Sequence, residues 1–290
     1  MDITYDYYRI FYYVARYGSF SKAAEVLLKG QPNITKAIAN LESQLGCKLF
    51  IRSNKGVTLT AEGEKLYHHA EIAFANLSKA ENEIVAGRNL DGGILSVAAT
   101  EIGLYGALLA PLTQFRREHP SVKIRLTNYN SPQSLAAVKN GVADFAVVTL
   151  HEKTDDHFRI TKIRDFEEIL CCKKGYQYDA DNIFQGSLIS INRRSYTYRF
   201  YQQYFLSHGI HKEPDIEVAT ADQVIPLIKS GMGIGFVAEF SAKEALAKGE
   251  IEKIPLKNPP AMRSIYLVED KSRNVSLAAR ELKKYLYIEK

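Results

Sequence analysis

Two amides and a lysine open one helical stretch. In "GQPNITKAIANLESQLG" (30–46), Gln31 and Asn33 lie two residues apart, and Thr35 and Lys36 follow. Amides at a helix start can pair with adenine N6 and N7 in the major groove of DNA, each good bidentate contact giving about 1–3 kcal/mol of discrimination. Lys36 suits phosphate instead, as do Arg52 and Lys55, and supplies affinity and salt sensitivity. No reactive set competes. His68 and His69 are adjacent, so they point from different helix faces and are no i, i+4 metal pair. Ser187 and Ser190 lack a G-x-S-x-G context. "GMGIGF" (231–236) does not follow G-x-G-x-x-G and reads as a turn into a strand. Cys171 and Cys172 are adjacent and Cys47 stands apart, which makes neither a disulfide framework nor a metal site. The expectation is no catalytic residue, no metal and no cofactor.

The elements that must hold those amides can be read outward from them. Ile34, Ile38, Leu41 and Leu45 share one helix face, and Pro32, Lys36, Ala39 and Ser43 lie opposite. Pro32 is tolerated because a helix's first turn has no N–H partner to lose, and Gly30 is a passable N-cap. Upstream, Tyr8, Phe11, Tyr12 and Ala15 form an apolar stripe ended by Gly18, and Ser21 reads as the N-cap of "KAAEVLL". Two short helices joined by a tight turn make a helix-turn-helix pattern. Downstream, "CKLFIRSNKGVTLT" reads as a strand, a turn and a returning strand, a wing with Arg52, Asn54 and Lys55 at its tip. Between Ser19 and Thr60 stand six basic side chains (Lys22, Lys29, Lys36, Lys48, Arg52, Lys55) against two acids (Glu25, Glu42). The winged helix-turn-helix domain is placed at 1–60.

From Ala61 the pattern changes. Leu66, Ala70, Ala73, Leu77, Ala80 and Ile84 alternate four and three apart, a heptad seam that a partner chain would cover. This linker helix and a "GRNLDGG" hinge occupy 61–90. The remaining residues, 91–290, repeat a strand-helix rhythm: "ILSVAAT", the helix "ALLAPLTQFRREHP", "VKIRLTNYN", "SLAAVKNG", "ADFAVVTL". "IRDFEEILCCKK" reads as one long strand crossing to a second lobe, and "SIYLVED" returns. Lobe I is placed at 91–163 and 264–290, lobe II at 164–263. Pro226 inside a predicted helix implies a kink or a late start. Two such lobes make a cleft, with ligand groups at the carboxyl ends of the strands. Thr100, Glu101, Asn130, Ser131, Thr149, Asn192, Ser195 and Thr220 sit at predicted strand ends and loops, where hydroxyls and amides suit a small polar metabolite. Arg193 and Arg194 read as a surface pair.

Bulk properties agree. A chain of 290 residues exceeds one ordinary core, and 46% apolar with 24% charged residues is an ordinary globular composition. No segment approaches the ~20 apolar residues of a membrane span. The start "MDITYDYYRIF" is no signal peptide, and the cysteine usage fits the cytosol. A transport-type solute binder is disfavoured by that start and by the N-terminal domain. The net charge of +5 does not by itself imply nucleic acid.

"GSFSKAAEVLLKGQPNITKAIANLESQLGCKLFIRSNKGVTLTAEG" (18–63) resembles the DNA-binding segment of LysR-type transcriptional regulators through its ordered "SFS-AA", "QP", "LE--LG", "LF-R" and "LT--G". "LAPLTQFRREHPSVKI", "VKNGVADFAV" and "DQVIPLIKSGMGIGFV" resemble the effector domain of the same family. The resemblance implies an α/β chain with a winged helix-turn-helix, a long linker helix and a two-lobed, periplasmic-binding-protein-like domain for a small-molecule effector. It implies dimers, often assembled as tetramers, on promoter DNA with an interrupted dyad. Contact with RNA polymerase is an expectation of the regulatory mechanism, and the lack of an apolar span leaves no membrane partner expected. By family position Ser21, Gln31, Pro32, Asn33, Thr35, Lys36 and Arg52 match the DNA-contact region. Three positions depart: Gly30 for a common Ser, Ala37 where a longer polar residue is frequent, and Glu239 where Pro is common. The first two would remove contacts near DNA.

Overall fold

The computed structural model describes residues 3–53, 56–86, 92–150, 156–179, 182–193 and 195–286. Contacts divide the chain into two units, Met1–Ile84 and Val85–Lys290.

In the first unit α1 (Tyr5–Tyr17), α2 (Phe20–Val26) and α3 (Gln31–Leu45) precede a hairpin of β1 (Phe50–Ser53) and β2 (Gly56–Leu59), and α4 (Ala61–Ala86) follows. The core joins Phe11 and Val14 of α1, Ala23 of α2, and Ile34, Ile38 and Leu41 of α3 to Leu49 and Phe50. The α1 stripe is turned by about one position from the sequence reading. Ile10, Phe11 and Val14 are buried, because Tyr12 instead stacks on Phe74 and Tyr67 of α4, with ring centroids 4.9 and 5.8 Å apart. Aromatic pairing of this kind holds α4 to its own unit. The N-cap of α2 is Ser19, which accepts the Lys22 N–H at 3.3 Å, and not Ser21. "LT--G" has a physical basis. Thr60 Oγ1 donates to the Lys48 carbonyl and accepts the Gly63 N–H. A Cβ on Gly63 would lie 2.2 Å from the Leu49 carbonyl oxygen, so only glycine lets α4 start against β1.

The turn between α2 and α3 carries one strained residue. Leu28 has φ 52° and is 94% exposed. The Leu28 N–H bonds to Glu25 and the Lys29 N–H to Ala24, a Schellman closure whose left-handed position ordinarily takes glycine or asparagine. Leu28→Asn relieves that strain and gives up no buried surface. It is expected to raise the first unit's stability by about 0.5–1 kcal/mol, read as an upward shift of its urea midpoint. An unchanged or lower midpoint would overturn this account.

The second unit holds two sheets. Its elements are β3 (Ile94–Ala99), α5 (Glu101–Gly103), a π-turn (Leu104–Leu108), α6 (Leu109–Glu118), β4 (Lys123–Asn128), α7 (Ser131–Lys139), β5 (Phe145–Thr149), β6 (Phe158–Phe166), β7 (Glu168–Lys173), β8 (Leu188–Ile191), α8 (Tyr196–Ser207), β9 (Ile216–Val218), α9 (Val224–Ser230), β10 (Ile234–Ala238), α10 (Glu239–Ala247), β11 (Ile251–Lys253), β12 (Arg263–Asp270) and α11 (Leu277–Leu286). Lobe I has strand order β4-β3-β5-β12-β6 and lobe II β11-β7-β10-β8-β9. Strands β3, β4 and β5 pair in parallel, as do β8, β9 and β10; β12 and β7 run antiparallel to their neighbours.

Five expectations are adjusted. Residues 164–166 and Arg263 belong to lobe I and not to lobe II, because β6 runs on to Phe166 and pairs there with β12 from Arg263. The long crossing strand is two strands, β6 and β7, separated only by Glu167. The helix expected from Ala107 begins at Glu101 and passes through a π-turn. Pro226 makes its helix start late: a 3₁₀ turn, Ala221–Gln223, leads into α9, and Pro226 falls in the first turn, where its missing N–H costs nothing. In the linker helix, Ala70 is buried and Leu66 packs on the first unit's own core, because the α1 aromatics cover them; Ala73, Leu77 and Ala80 are exposed. The Ile84 side chain and hinge residues 87–91 lie outside the described residues.

Candidate functional sites

The first site is the outer face of α3. Gly30, with extended φ and ψ, caps the helix without a side chain, and its first turn presents Gln31, Pro32 and Asn33 to solvent. Gln31, Pro32, Thr35, Lys36 and Ala39 line a shallow groove. Ser21 Oγ donates to Gln31 Oε1 at 3.1 Å, which leaves the Gln31 NH2 facing outward as a donor. Ser21 therefore belongs to this face by orienting an amide. Arg52 of the wing lies over the Phe20 ring, 4.4 Å from its centroid, so packing fixes where its charge sits. Asn54 and Lys55 lie outside the described residues.

The positive charge here is thinner than the residue count implied. Lys29 pairs with Asp6 at 2.5 Å and Lys48 with Glu42 at 2.7 Å, while Lys36 makes no ion pair among the described residues. Ala37 is buried in the core. The sequence reading counted it as a missing DNA contact; its side chain faces inward, so a longer polar residue there would enter the core. Asn40, one turn on, donates to Tyr7 and serves helix packing.

The second site is a cleft of about 240 Å³ between the two lobes of the second unit. All eight sequence candidates line it: Thr100, Glu101, Asn130, Ser131, Thr149, Asn192, Ser195 and Thr220. The reason is topological. Thr100, Asn130, Ser195 and Thr220 follow the carboxyl ends of β3, β4, β8 and β9, and each caps the helical segment that comes next. Thr100 accepts the Gly103 N–H, Asn130 and Gln133 form a reciprocal capping box, and Ser195 accepts the Thr197 N–H. Ser131 Oγ donates to the Thr149 carbonyl at 2.7 Å, tying α7 to the end of β5. Gly103 lets the first helix approach, since a Cβ there would lie 2.2 Å from the Val147 carbonyl oxygen. The positive ends of four helical segments thus face one space.

Glu101 is the one carboxyl on this wall among the described residues. Burial pushes it up to about 7, the Asp222 carboxylate adds to the effect, and the backbone N–H groups of Asp222 and Ala221 oppose it. Its Oε2 is enclosed with no hydrogen-bond partner among the described residues.

Sequence reasoning missed Thr197, Tyr196 and Tyr129 on the wall and Arg263 beneath it. Thr197 had a local signal, two residues after a helix-capping serine. Arg263 had none. Arg193, read as half of a surface pair, bonds Glu213 at 2.8 Å on the exterior; Arg194 is outside the described residues. Burial holds the Cys171 and Cys172 thiols up, to about 12 and about 11, so neither is a reactive thiolate. Among the described residues no three His, Cys, Asp or Glu side chains group as metal ligands, and no helix is long and apolar enough to cross a membrane.

A family model described as the LysR substrate binding domain matches residues 88–287, and one described as the bacterial regulatory helix-turn-helix protein, lysR family, matches 5–64. A "Probable RuBisCO transcriptional regulator" of Porphyra purpurea is 26% identical, covering 96% of this chain and 91% of its own. The "HTH-type transcriptional regulator CfxR" of Cupriavidus necator is 25% identical, covering 96% and 89%. Full-length CbnR, solved in complex with its target DNA, has a TM-score of 0.72 at 19% identity, covering 98% of each chain, and shares the fold.

Proposed function

The chain belongs to the LysR family of transcriptional regulators, and from that premise we propose how its two sites divide the work. It is a DNA-binding regulator whose C-terminal domain takes an effector. Gln31 and Asn33, with Thr35 beside them, read base edges; Lys36, Arg52, Asn54 and Lys55 grip phosphate. Pro32 and Ser21 hold the reading amides in place. The eight strand-end residues bind a small polar effector in the cytoplasm. The observation that carries this reading is the convergence of all eight on one interlobe cleft. The chain works as a homodimer or tetramer on promoter DNA, with Ala73, Leu77 and Ala80 offered to the partner helix. It needs no cofactor beyond the effector and catalyses no reaction. Effector binding shifts lobe geometry, and the ligand can do so only through different affinities for the two states. Contact with RNA polymerase then changes.

Mobility shifts on the fragment upstream of its own gene and on scrambled DNA test the DNA half. Gln31→Ala is expected to lose about tenfold or more in discrimination. Lys36→Ala is expected to weaken both DNAs alike and to lower the salt slope by about one. Unchanged discrimination in Gln31→Ala would remove it from base reading.

A further inference from the structure

Arg263 opens β12, where the chain returns to lobe I, and it is buried beneath the cleft without lining it. One of its nitrogens, Nη1, donates to Glu168 at the start of β7. The other, Nη2, donates at 3.0 Å to Thr149 Oγ1 of lobe I and at 3.0 Å to Thr197 Oγ1 of lobe II. A guanidinium has no acceptor, so both threonine oxygens accept a hydrogen bond from it and each keeps its own O–H to give. Neither hydroxyl finds an acceptor among the described residues, although Thr149 is 3% and Thr197 8% exposed. Both oxygens are bonded to one nitrogen, so one ligand group can reach both. Other wall hydroxyls also have a donor free: Thr100 and Ser195 each accept one backbone N–H bond and keep the O–H to give. No lysine, arginine or histidine lines the cleft among the described residues. These hydroxyls therefore offer donors, two of them held by the Arg263–Glu168 pair beneath the wall. Glu101 adds a donor when it is protonated.

We infer that Arg263 is a positioning residue of the effector site: it sets the Thr149 and Thr197 hydroxyls, one from each lobe, as paired donors, so that the cleft selects an effector with an oxyanion group that bridges the lobes. This rests on the reading of the cleft as the effector site. The shared chemistry is that of a carboxylate or a phosphate.

The test is thermal shift of the full chain at constant ionic strength. The probes are acetate, succinate and benzoate, each against its amide, with inorganic phosphate as a separate arm. Carboxylates or phosphate are expected to stabilise the wild type, and the amides are not. Thr149→Val and Thr197→Val keep the Arg263–Glu168 pair and are expected to weaken the favoured anion about tenfold, whereas Thr149→Ser retains it. Ala219→Trp fills the exposed rim of the cleft and is expected to abolish binding. Amides that bind as well as acids, with both lost in Ala219→Trp, overturn the inference and leave the cleft reading standing. Anion binding that survives Ala219→Trp overturns the cleft reading itself. A wild type that none of the anions stabilises, or valine variants that bind as wild type does, also overturns the role of Arg263.

Discussion

Replacing Arg263 by methionine lowers the stability of the C-terminal unit by about 3–5 kcal/mol, the usual cost of stripping one partner from a buried ion pair. Its partner Glu168 is 3% exposed and cannot turn to water. Among the described residues the only other group bonded to that carboxylate is Tyr201, whose O–H donates to Oε2 at 2.8 Å. Burial, and then the Glu168 charge, hold the Tyr201 phenol well above its ordinary range, so it stays a donor. The guanidinium also lies between the Phe200 and Phe166 rings, 5.1 and 5.4 Å from their centroids, so methionine fills some of the vacated volume. The remaining penalty is the lone charge on Glu168. Pairing Arg263→Met with Glu168→Leu removes the orphan charge and is expected to recover most of the loss. Urea midpoints of the full chain for the wild type, the single variant and the double variant decide it. A loss under about 1 kcal/mol, or a double variant no better than the single, would mean that the pair is effectively solvated.

The limits of the sequence reading follow the range over which each interaction acts. Helix α3 was legible because Ile34, Ile38 and Leu41 repeat locally and all three are buried. The cleft residues were legible because parallel strands expose their carboxyl ends, a rule that needs no partner identity. The helix from Glu101 was started too late because "EIGLYGA" holds two glycines, which disfavour a helix when taken alone. Both are explained by distant neighbours. A Cβ on Gly103 would meet the Val147 carbonyl, and one on Gly106 would meet Ile265 and Phe240. Ala37 was counted as a lost DNA contact because the family resemblance puts a longer polar residue there, whereas in this chain it packs into the core. Arg263 follows "PPAM", which reads as loop, and its partners Thr197, Glu168 and Thr149 are 66, 95 and 114 residues away. No local pattern could have joined them.

Glu42→Ala is expected to cost the DNA-binding unit about 2–4 kcal/mol, although the residue lies on the recognition helix and touches no candidate base reader. Its Oε1 accepts the N–H groups of Leu49 at 2.9 Å and Phe50 at 3.3 Å, both buried, and Oε2 accepts from Lys48. Alanine leaves those two N–H groups without an acceptor and away from water, and each carries its own desolvation penalty. Lys48 is 78% exposed and adds little to the loss. Burial raises the Glu42 carboxyl, but the Lys48 bond and the two backbone bonds outweigh it and hold the group below its ordinary range. A depressed folded pKa means that this stabilisation is complete above the unfolded value near 4.5 and fades as pH falls through the folded one. The gap between wild type and Glu42→Ala in urea midpoint is thus widest at neutral pH and narrows on acidification. Glu42→Gln keeps a carbonyl acceptor for the two N–H groups and is expected to recover most of the stability. The same bonds tie the end of α3 to β1, the strand that carries Arg52 into the wing. Glu42→Ala is therefore expected to weaken DNA binding at temperatures where the unit is still folded. It acts by loosening the wing, so specific and scrambled DNA lose affinity together. An alanine variant of wild-type stability, or one that loses discrimination but not affinity, would place Glu42 in base reading or in neither role.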